Sequence, residues 1–242
     1  MKKVLSILLI SVLLIGCSEN RVLIDKLTNK GHEDFHIMYH EGKLFSGIGF
    51  DVYRGTDSQL RLEVSYKDGK KNGVYMWLGP YGEKIVEAYY KDGRYDGQYK
   101  SWNNGQLMKE ANYKEGKYNG LYKEWYENGQ LMEESNYIDG EYDGLYKYWY
   151  KNGQLSKEMN YQYGKENGIY KRWWQNGQRM VETNYKDGRY DGLYKYWYEN
   201  GQLKKEFTRV ENLLHGSYKE WWETGQLKIE ELYINGKLTL EK

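Results

Sequence analysis

Residues 120–143 read GLYKEWYENGQLMEESNYIDGEYD, and the 24 residues that follow repeat the same order of glycine, aromatic and polar positions. The unit is G-x-Y-K-x-W-Y-x-N-G-Q-L-x-x-E-x-x-Y-x-x-G-x-x-[DN]. Its copies open at Gly73, Gly97, Gly120, Gly144, Gly168, Gly192 and Gly216. A period of this length is typical of one supersecondary unit stacked many times. The sequence therefore predicts an elongated array rather than the globular core of an enzyme.

One copy is a residue shorter than the others. The step from Gly97 to Gly120 is 23 residues, because Trp102-Asn103-Asn104-Gly105 stands where the next unit has Trp125-Tyr126-Glu127-Asn128-Gly129. The missing residue therefore falls in a turn between two strands.

The composition suits repeated hairpins and excludes several partners. The chain has 28 Gly, 28 Tyr and 9 Trp but a single Pro, and glycine at fixed intervals among aromatics is typical of short strands and tight turns. The 36 basic residues nearly balance the 35 acidic ones. We therefore expect neither nucleic acid nor an anionic lipid surface as a partner.

The first residues have the pattern of a lipoprotein signal. Lys2 and Lys3 precede an apolar segment that ends in Leu14-Ile15-Gly16-Cys17, which resembles a bacterial lipobox. The resemblance implies that residues 1–16 are a signal peptide, that Cys17 is lipidated and that residues 17–21 are a short tether. The chain would then be exported and anchored by its lipid in the cell envelope, in the outer membrane if the organism has one. An ordinary cleaved signal or an N-terminal anchor helix are the alternatives.

The remaining chain divides into two regions. Residues 22–72 are predicted to form two degenerate capping units, Val22–Ser46, with its turn at Asn29-Lys30-Gly31, and Gly47–Asn72. Residues 73–242 form seven regular units. Atypical terminal units are what a stacked array needs as caps.

Each unit is predicted to be a β-hairpin. Asn-Gly is a strong signal for a two-residue type I′ turn, so residues 120–127 and 130–137 become the two strands around Asn128-Gly129. The predicted fold is all-β, an elongated single sheet or open solenoid of about nine stacked antiparallel hairpins.

A two-residue turn also predicts which residues face each other. Lys123 would lie opposite Glu134, and Tyr126 opposite Leu131. The packed face would carry Tyr122, Tyr126, Leu131 and Tyr137, and the other face Lys123, Trp125, Glu134 and Asn136.

The lysine–glutamate pair recurs in later units. By the same count the pairs are Lys123–Glu134, Lys147–Glu158, Lys171–Glu182, Lys195–Glu206 and Lys219–Glu230. We interpret them as cross-strand ion pairs of a solvated face, worth roughly 0.2–1 kcal/mol each.

Six tryptophans share one position of the unit. They are Trp102, Trp125, Trp149, Trp173, Trp197 and Trp221, and on one sheet face they would form a ladder with a spacing of about 9.6 Å. Flat rings beside polar groups suit sugar rings or quaternary ammonium groups. The alternative is that these rings pack on neighbouring units and on lysine stems.

No pattern of catalytic residues is present, so we expect neither an enzyme nor a cofactor. The sequence lacks a phosphate loop and a nucleophile elbow. Asp34 and His36 share one side of a predicted strand and are weak candidates for a metal site, although a polar outer face explains them equally well.

The unit resembles the bacterial variant of the MORN repeat (membrane occupation and recognition nexus). The matching positions of one unit are Gly120, Tyr122, Trp125, Tyr126, Asn128, Gly129, Leu131, Glu134, Tyr137 and Gly140. The resemblance covers Val22 to about Lys237 and implies stacked antiparallel hairpins in a twisted sheet. Proteins with this repeat are often labelled antitoxins, a label that fits poorly with export.

Three functions remain open. The first is a non-enzymatic, envelope-anchored scaffold that binds a protein partner. The second is binding of a glycan or the cell wall through the tryptophan ladder. The third is an antitoxin or immunity protein that neutralises a toxin.

Overall fold

The chain is almost entirely β-structure. The computed structural model describes residues 20–30, 37–54 and 59–241. Within them the one helical element is a short 3-10 turn, Ile24–Lys26. The strands are β1 (Arg21–Leu23), β2 (Thr28–Asn29), β3 (Met38–His40), β4 (Lys43–Leu44), β5 (Gly47–Val52), β6 (Leu60–Lys67), β7 (Lys70–Leu78), β8 (Lys84–Lys91), β9 (Arg94–Asn103), β10 (Gln106–Lys114), β11 (Lys117–Trp125), β12 (Leu131–Ile138), β13 (Glu141–Tyr142), β14 (Gly144–Trp149), β15 (Leu155–Gln162), β16 (Lys165–Glu166), β17 (Gly168–Trp173), β18 (Arg179–Lys186), β19 (Arg189–Tyr190), β20 (Gly192–Trp197), β21 (Leu203–Val210), β22 (Leu213–Trp221), β23 (Leu227–Ile234) and β24 (Lys237–Glu241).

Of the described strands, 21 form one open sheet and three form a small second sheet, β2-β3-β4. From β5 to β12 each strand pairs antiparallel with the next along the chain, and the later hairpins continue the antiparallel order. The two-residue strands β13, β16 and β19 are the first parts of long strands that are interrupted before an opening glycine such as Gly144. This confirms the predicted all-β sheet of repeated hairpins.

The turn within each hairpin differs from the predicted two-residue type I′ turn. The Tyr126 amide donates to the Gln130 carbonyl and the Gly129 amide to the Tyr126 carbonyl, both at 2.9 Å. The loop therefore has three residues, and of these only Gly129 has a positive φ, at +82°. Three-residue loops closed by a left-handed glycine also fit the twist of a hairpin.

The type I′ geometry occurs instead between hairpins. Asp139 and Gly140 have φ values of +52° and +90°, as both central residues of that turn require. In the shortened unit, Asn104 and Gly105 do the same with +49° and +79°. The missing residue thus changes a three-residue loop into a two-residue turn.

The longer loop shifts the register near the turn. Lys123 lies opposite Glu134 as predicted, but Trp125, not Tyr126, lies opposite Leu131. Met132 is the extra residue of a β-bulge, which offsets one strand by one position. The predicted Tyr126–Leu131 pair is therefore wrong, and Leu131 lies on the tryptophan-bearing face.

Side chains at the loops connect each unit to the next. The Asn128 side-chain amide donates to the Lys151 carbonyl at 2.8 Å, and its Oδ1 accepts from the Gln130 amide at 3.1 Å. The Tyr126 hydroxyl donates to the Trp149 carbonyl at 2.8 Å. The same asparagine bond recurs from Asn152, Asn176 and Asn200. These bonds explain why the unit keeps asparagine before glycine without a type I′ turn.

The face opposite the tryptophans is packed by tyrosines, and we call it the tyrosine face. Ring centroids of consecutive tyrosines lie close together, for instance 4.5 Å between Tyr137 and Tyr142 and 5.0 Å between Tyr142 and Tyr161. Small or unbranched side chains are buried beneath the rings, among them Ala111 and Ser135. This face is the core of the array.

The N-terminal units form a compact cap. Val22, Phe45, Val64 and Tyr66 make a buried cluster. Strand β1 is parallel to β5, and β2-β3-β4 stand apart from the large sheet, so the first degenerate unit does not add a regular hairpin to it. Gly31 of its predicted turn lies outside the described residues.

Candidate binding face

The tryptophan face is the side of the sheet that carries Lys123, Trp125 and their equivalents. Cross-strand partners share a face, so Trp125 with Leu131, Lys123 with Glu134, and Leu121 with Asn136 lie on it together. Repetition of these pairs, with single substitutions in some units, makes three rows that run along the array. The rows contain tryptophan and leucine, lysine and glutamate, and aliphatic and asparagine side chains.

The lysine–glutamate row continues across the unit boundaries. Glu134 lies between Lys123 of its own hairpin and Lys147 of the next. The row runs in the order Lys100, Glu110, Lys123, Glu134, Lys147, Glu158, Lys171, Glu182, Lys195, Glu206, Lys219 and Glu230. Signs therefore alternate along it, which the count within single hairpins did not predict.

Most of the predicted pairs are also ion pairs in the structure. The N–O distances are 2.9 Å for Lys123–Glu134, 3.7 Å for Lys147–Glu158, 3.2 Å for Lys195–Glu206 and 3.5 Å for Lys219–Glu230. Lys171 departs from the prediction. It lies opposite Glu182 but approaches Glu158 at 3.9 Å, while Glu182 binds Arg179. An arginine three residues away competes for that carboxylate.

The six tryptophans are half-buried, and cations lie over some of their rings. The Arg179 guanidinium is 5.7 Å from the ring centroid of Trp173 and 6.0 Å from that of Trp197. Lys84 lies 5.7 Å from the ring of Trp102. Such contacts favour packing on cationic side chains for these three rings. Trp125, Trp149 and Trp221 lie at the same position of the unit.

The third row carries exposed aliphatic side chains. Leu145, Ile169 and Leu193 occupy the same position in consecutive units and are 37%, 51% and 46% exposed. Each lies opposite a polar partner, such as Asn160 opposite Leu145. The sequence analysis missed this row. The signal was present, because an apolar residue follows each of these three opening glycines.

The tyrosine face has one row that does not repeat. Glu124 lies directly opposite Glu133 there, and Lys109 lies opposite Glu124 on the other side. Burial raises the pKa of Glu133, and the charge of Glu124 adds to the effect, while hydrogen bonds from Ser135 and Tyr142 oppose it. Burial likewise lowers the pKa of Lys157 in the same row.

The remaining candidates cannot be placed. Cys17, Asp34 and His36 lie outside the described residues. Within the described part of the chain, no three His, Cys, Asp or Glu side chains are grouped as a metal site would require. The same part contains no helix long and apolar enough to cross a membrane.

The geometry defines a class of protein, a scaffold built from β-hairpin repeats. The MORN repeat variant family matches six consecutive units at residues 95–115, 118–139, 142–163, 166–187, 190–210 and 214–235. The chain belongs to this family.

Other comparisons are weaker. No curated protein matches the chain. Among solved structures, choline binding protein F from Streptococcus pneumoniae in crystal form II covers 89% of this chain and 99% of its own, at 12% identity and a TM-score of 0.18. The same protein in the presence of a peptidoglycan analogue, a tetrasaccharide-pentapeptide, covers 87% of this chain and 95% of its own, at 12% identity and a TM-score of 0.17. At these TM-scores the likeness carries no argument about fold or ligand.

Proposed function

We propose that this protein is a non-enzymatic scaffold, anchored in the cell envelope by a lipid on Cys17, that binds a protein partner along its tryptophan face. The observation that carries the proposal is the exposed row of Leu145, Ile169 and Leu193 beside the tryptophan row. Apolar side chains that gather on one exposed face, rather than being scattered singly, are typical of an interaction surface.

The composition of the face supports a protein partner. Tryptophan is enriched at the energetic centres of protein interfaces. On this face the lysines and glutamates alternate in sign, so a partner would meet little net charge. The aliphatic and tryptophan rows flank the charged row on its two sides.

The size of the face is also sufficient. Each hairpin adds about 9.6 Å along the array, and three same-face positions span roughly 20 Å across it. Six units then offer on the order of 1,100 Å². A standard interface takes about 800 Å² from each partner.

The anchor rests on the lipobox-like sequence that ends at Cys17. Metabolic labelling with a palmitate analogue is expected to mark the wild-type chain and not Cys17→Ala. Equal labelling of both chains would remove the anchor from the proposal and leave the binding face untouched.

The binding face is tested by cross-linking in cells, followed by recovery of the tagged protein and mass spectrometry. The test variant is Leu145→Ser/Ile169→Ser/Leu193→Ser. The matched control changes two exposed aromatics in turns, Tyr81→Asn and Tyr163→Asp, toward the residues that other units have there. We expect one stoichiometric partner with the wild type and the control, and its loss from the triple variant.

Recovery of the same partner with the triple variant would refute the tryptophan face as the binding surface. Recovery of polysaccharide without a protein would favour the glycan alternative, since flat rings beside polar groups suit sugars. A toxin as the partner would identify the scaffold as a neutraliser.

A further inference from the structure

The tyrosine row is interrupted at the junction of β21 and β22. In a regular junction two tyrosines face each other, as Tyr137 and Tyr142 do. At this junction the facing residues are Arg209 and Leu214. A cavity of about 530 Å³ lies where the two rings are missing. Its volume is within the usual range of small-molecule sites, roughly 300–1,000 Å³.

The cavity is aromatic and basic. Five aromatic rings and the cations Lys204, Lys205 and Arg209 line it, and no carboxylate does. Phe207 stacks between Tyr194 and Tyr218, with ring centroids at 4.5 and 5.6 Å and interplanar angles of 12° and 19°. These three nearly parallel rings form a stack that lines the cavity with apolar ring atoms.

Two of the three cations have no carboxylate partner among the described residues. The Arg209 guanidinium lies 5.3 Å from the ring of Tyr190, and its buried Nε has no hydrogen-bond partner in that part of the chain. Lys204 lies 4.9 Å from the ring of Tyr198. Lys205 differs, because it forms an ion pair with Glu220 at 3.4 Å.

A half-buried cation without a counter-ion is costly, and a buried donor without an acceptor adds to that cost. An anion in the cavity would pair with the guanidinium and offset the cost of its charge. Arginine suits this role because its planar fork matches the oxygens of an acid group.

We propose that this basic aromatic pocket binds a small organic anion with a flat apolar body. Arg209 and Lys204 hold the acid group, and the body packs against the stack formed by Tyr194, Phe207 and Tyr218. The pocket is on the tyrosine face, so it is separate from the tryptophan face and independent of a protein partner.

The test uses the full chain and a matched pair of probes. Naphthalene-2-sulfonate has a flat body and an anionic group, and naphthalene-2-sulfonamide has the same body without the charge. Calorimetric titration is expected to show saturable binding of the sulfonate at one site and at least tenfold weaker binding of the sulfonamide, about the effect of losing one charge-assisted hydrogen bond.

The variant Arg209→Tyr places the ring of the regular unit in the cavity and is therefore expected to fold. It should weaken sulfonate binding at least tenfold. Glu166→Tyr is the control, because it restores a ring at another interrupted junction, opposite Tyr161, and should leave binding unchanged.

Absence of sulfonate binding, equal binding of both probes, or unchanged affinity in Arg209→Tyr would each overturn the proposal. An equal loss in Glu166→Tyr would also overturn it, since the effect would then not belong to this pocket. Circular dichroism of each variant shows whether the sheet is intact.

Discussion

At the scale of single residues, the asparagine of each loop has two bonds to make. Asn152 accepts from the Gln154 amide at 3.1 Å and donates to the Gln175 carbonyl of the next unit at 2.9 Å. The last unit has Thr224 at this position, where no further unit follows within the described residues. The asparagine is therefore a connector between units.

Replacing this connector should destabilise the array. Asn152→Ala removes two hydrogen bonds in an exposed loop, and we expect a loss of about 1 kcal/mol in the free energy of unfolding. Thr224→Ala is the matched control and should change the free energy of unfolding by about a few tenths of a kcal/mol. Urea unfolding followed by tryptophan fluorescence measures both, and equal losses would contradict the connector role.

The same position shows what the sequence could and could not predict. Counting around Asn128-Gly129 placed Lys123 opposite Glu134 correctly, because that pair lies beyond the bulge. It misplaced Leu131, because a three-residue loop closed by glycine also ends in Asn-Gly. Local turn chemistry could not separate these loops, since Asn-Gly is compatible with both of them.

At the scale of strands, the alternating charges give a lysine of the row a glutamate on each of its two neighbouring strands. Lys147 lies between Glu134 and Glu158 on its two neighbouring strands. The sequence predicted only the partner within the hairpin. The second partner depends on the interruption before Gly144, which shifts the register between hairpins.

Reversing one charge in the lysine–glutamate row should lower the free energy of unfolding more than removing that charge. Lys147→Glu places three carboxylates side by side, and we expect a loss of about 1 kcal/mol that shrinks in high salt. Lys147→Met should be nearly neutral, since Met76 already occupies the equivalent position opposite Glu87. Urea unfolding at low and high salt measures both, and a salt-independent loss would argue against a charge effect.

The tyrosine face should make the fold sensitive to alkali. Burial, with a smaller contribution from Tyr75, raises the pKa of Tyr66 from 10.0 to about 12. The folded state therefore holds this proton more tightly than the unfolded state. The resulting stability is complete below pH 10 and is lost as the pH rises through 12.

We expect tyrosinate absorbance to rise together with the loss of the strand signal in circular dichroism. Phenylalanine cannot ionise. Between pH 10 and 12, the free energy of unfolding of Tyr66→Phe should therefore fall by about 2–3 kcal/mol less than that of the wild type. Tyrosinate that forms before the strands melt would contradict this coupling.

At the scale of the whole molecule, stability is local. The strands of the large sheet make their extensive contacts with their neighbours, as in other repeat arrays, so distant units should melt separately. The cap was the least predictable part, because the parallel pairing of β1 with β5 follows no repeat pattern. The sequence did indicate that residues 22–72 depart from the regular unit.

A cavity in the cap tests this locality. Phe45 is 2% exposed within the cap cluster, and Phe45→Ala should cost about 3–5 kcal/mol there. Hydrogen exchange is expected to accelerate in residues 38–67 and stay unchanged in residues 144–241. A uniform acceleration along the chain would show a single cooperative unit.

The contacts that join one unit to the next use the same residue types along the array, and this has a consequence for the gene. Residues 144–150 and 192–198 share the sequence GLYKYWY, and the hairpins that they open have the same register. Recombination between the two segments would delete residues 144–191 and bring Asp143 before Gly192, just as Asp191 precedes it now. Every bond across the new junction would join residue types that already bond elsewhere in the array. Alleles that differ by whole units should therefore all encode folded proteins, and the length of this molecule is free to vary in a population.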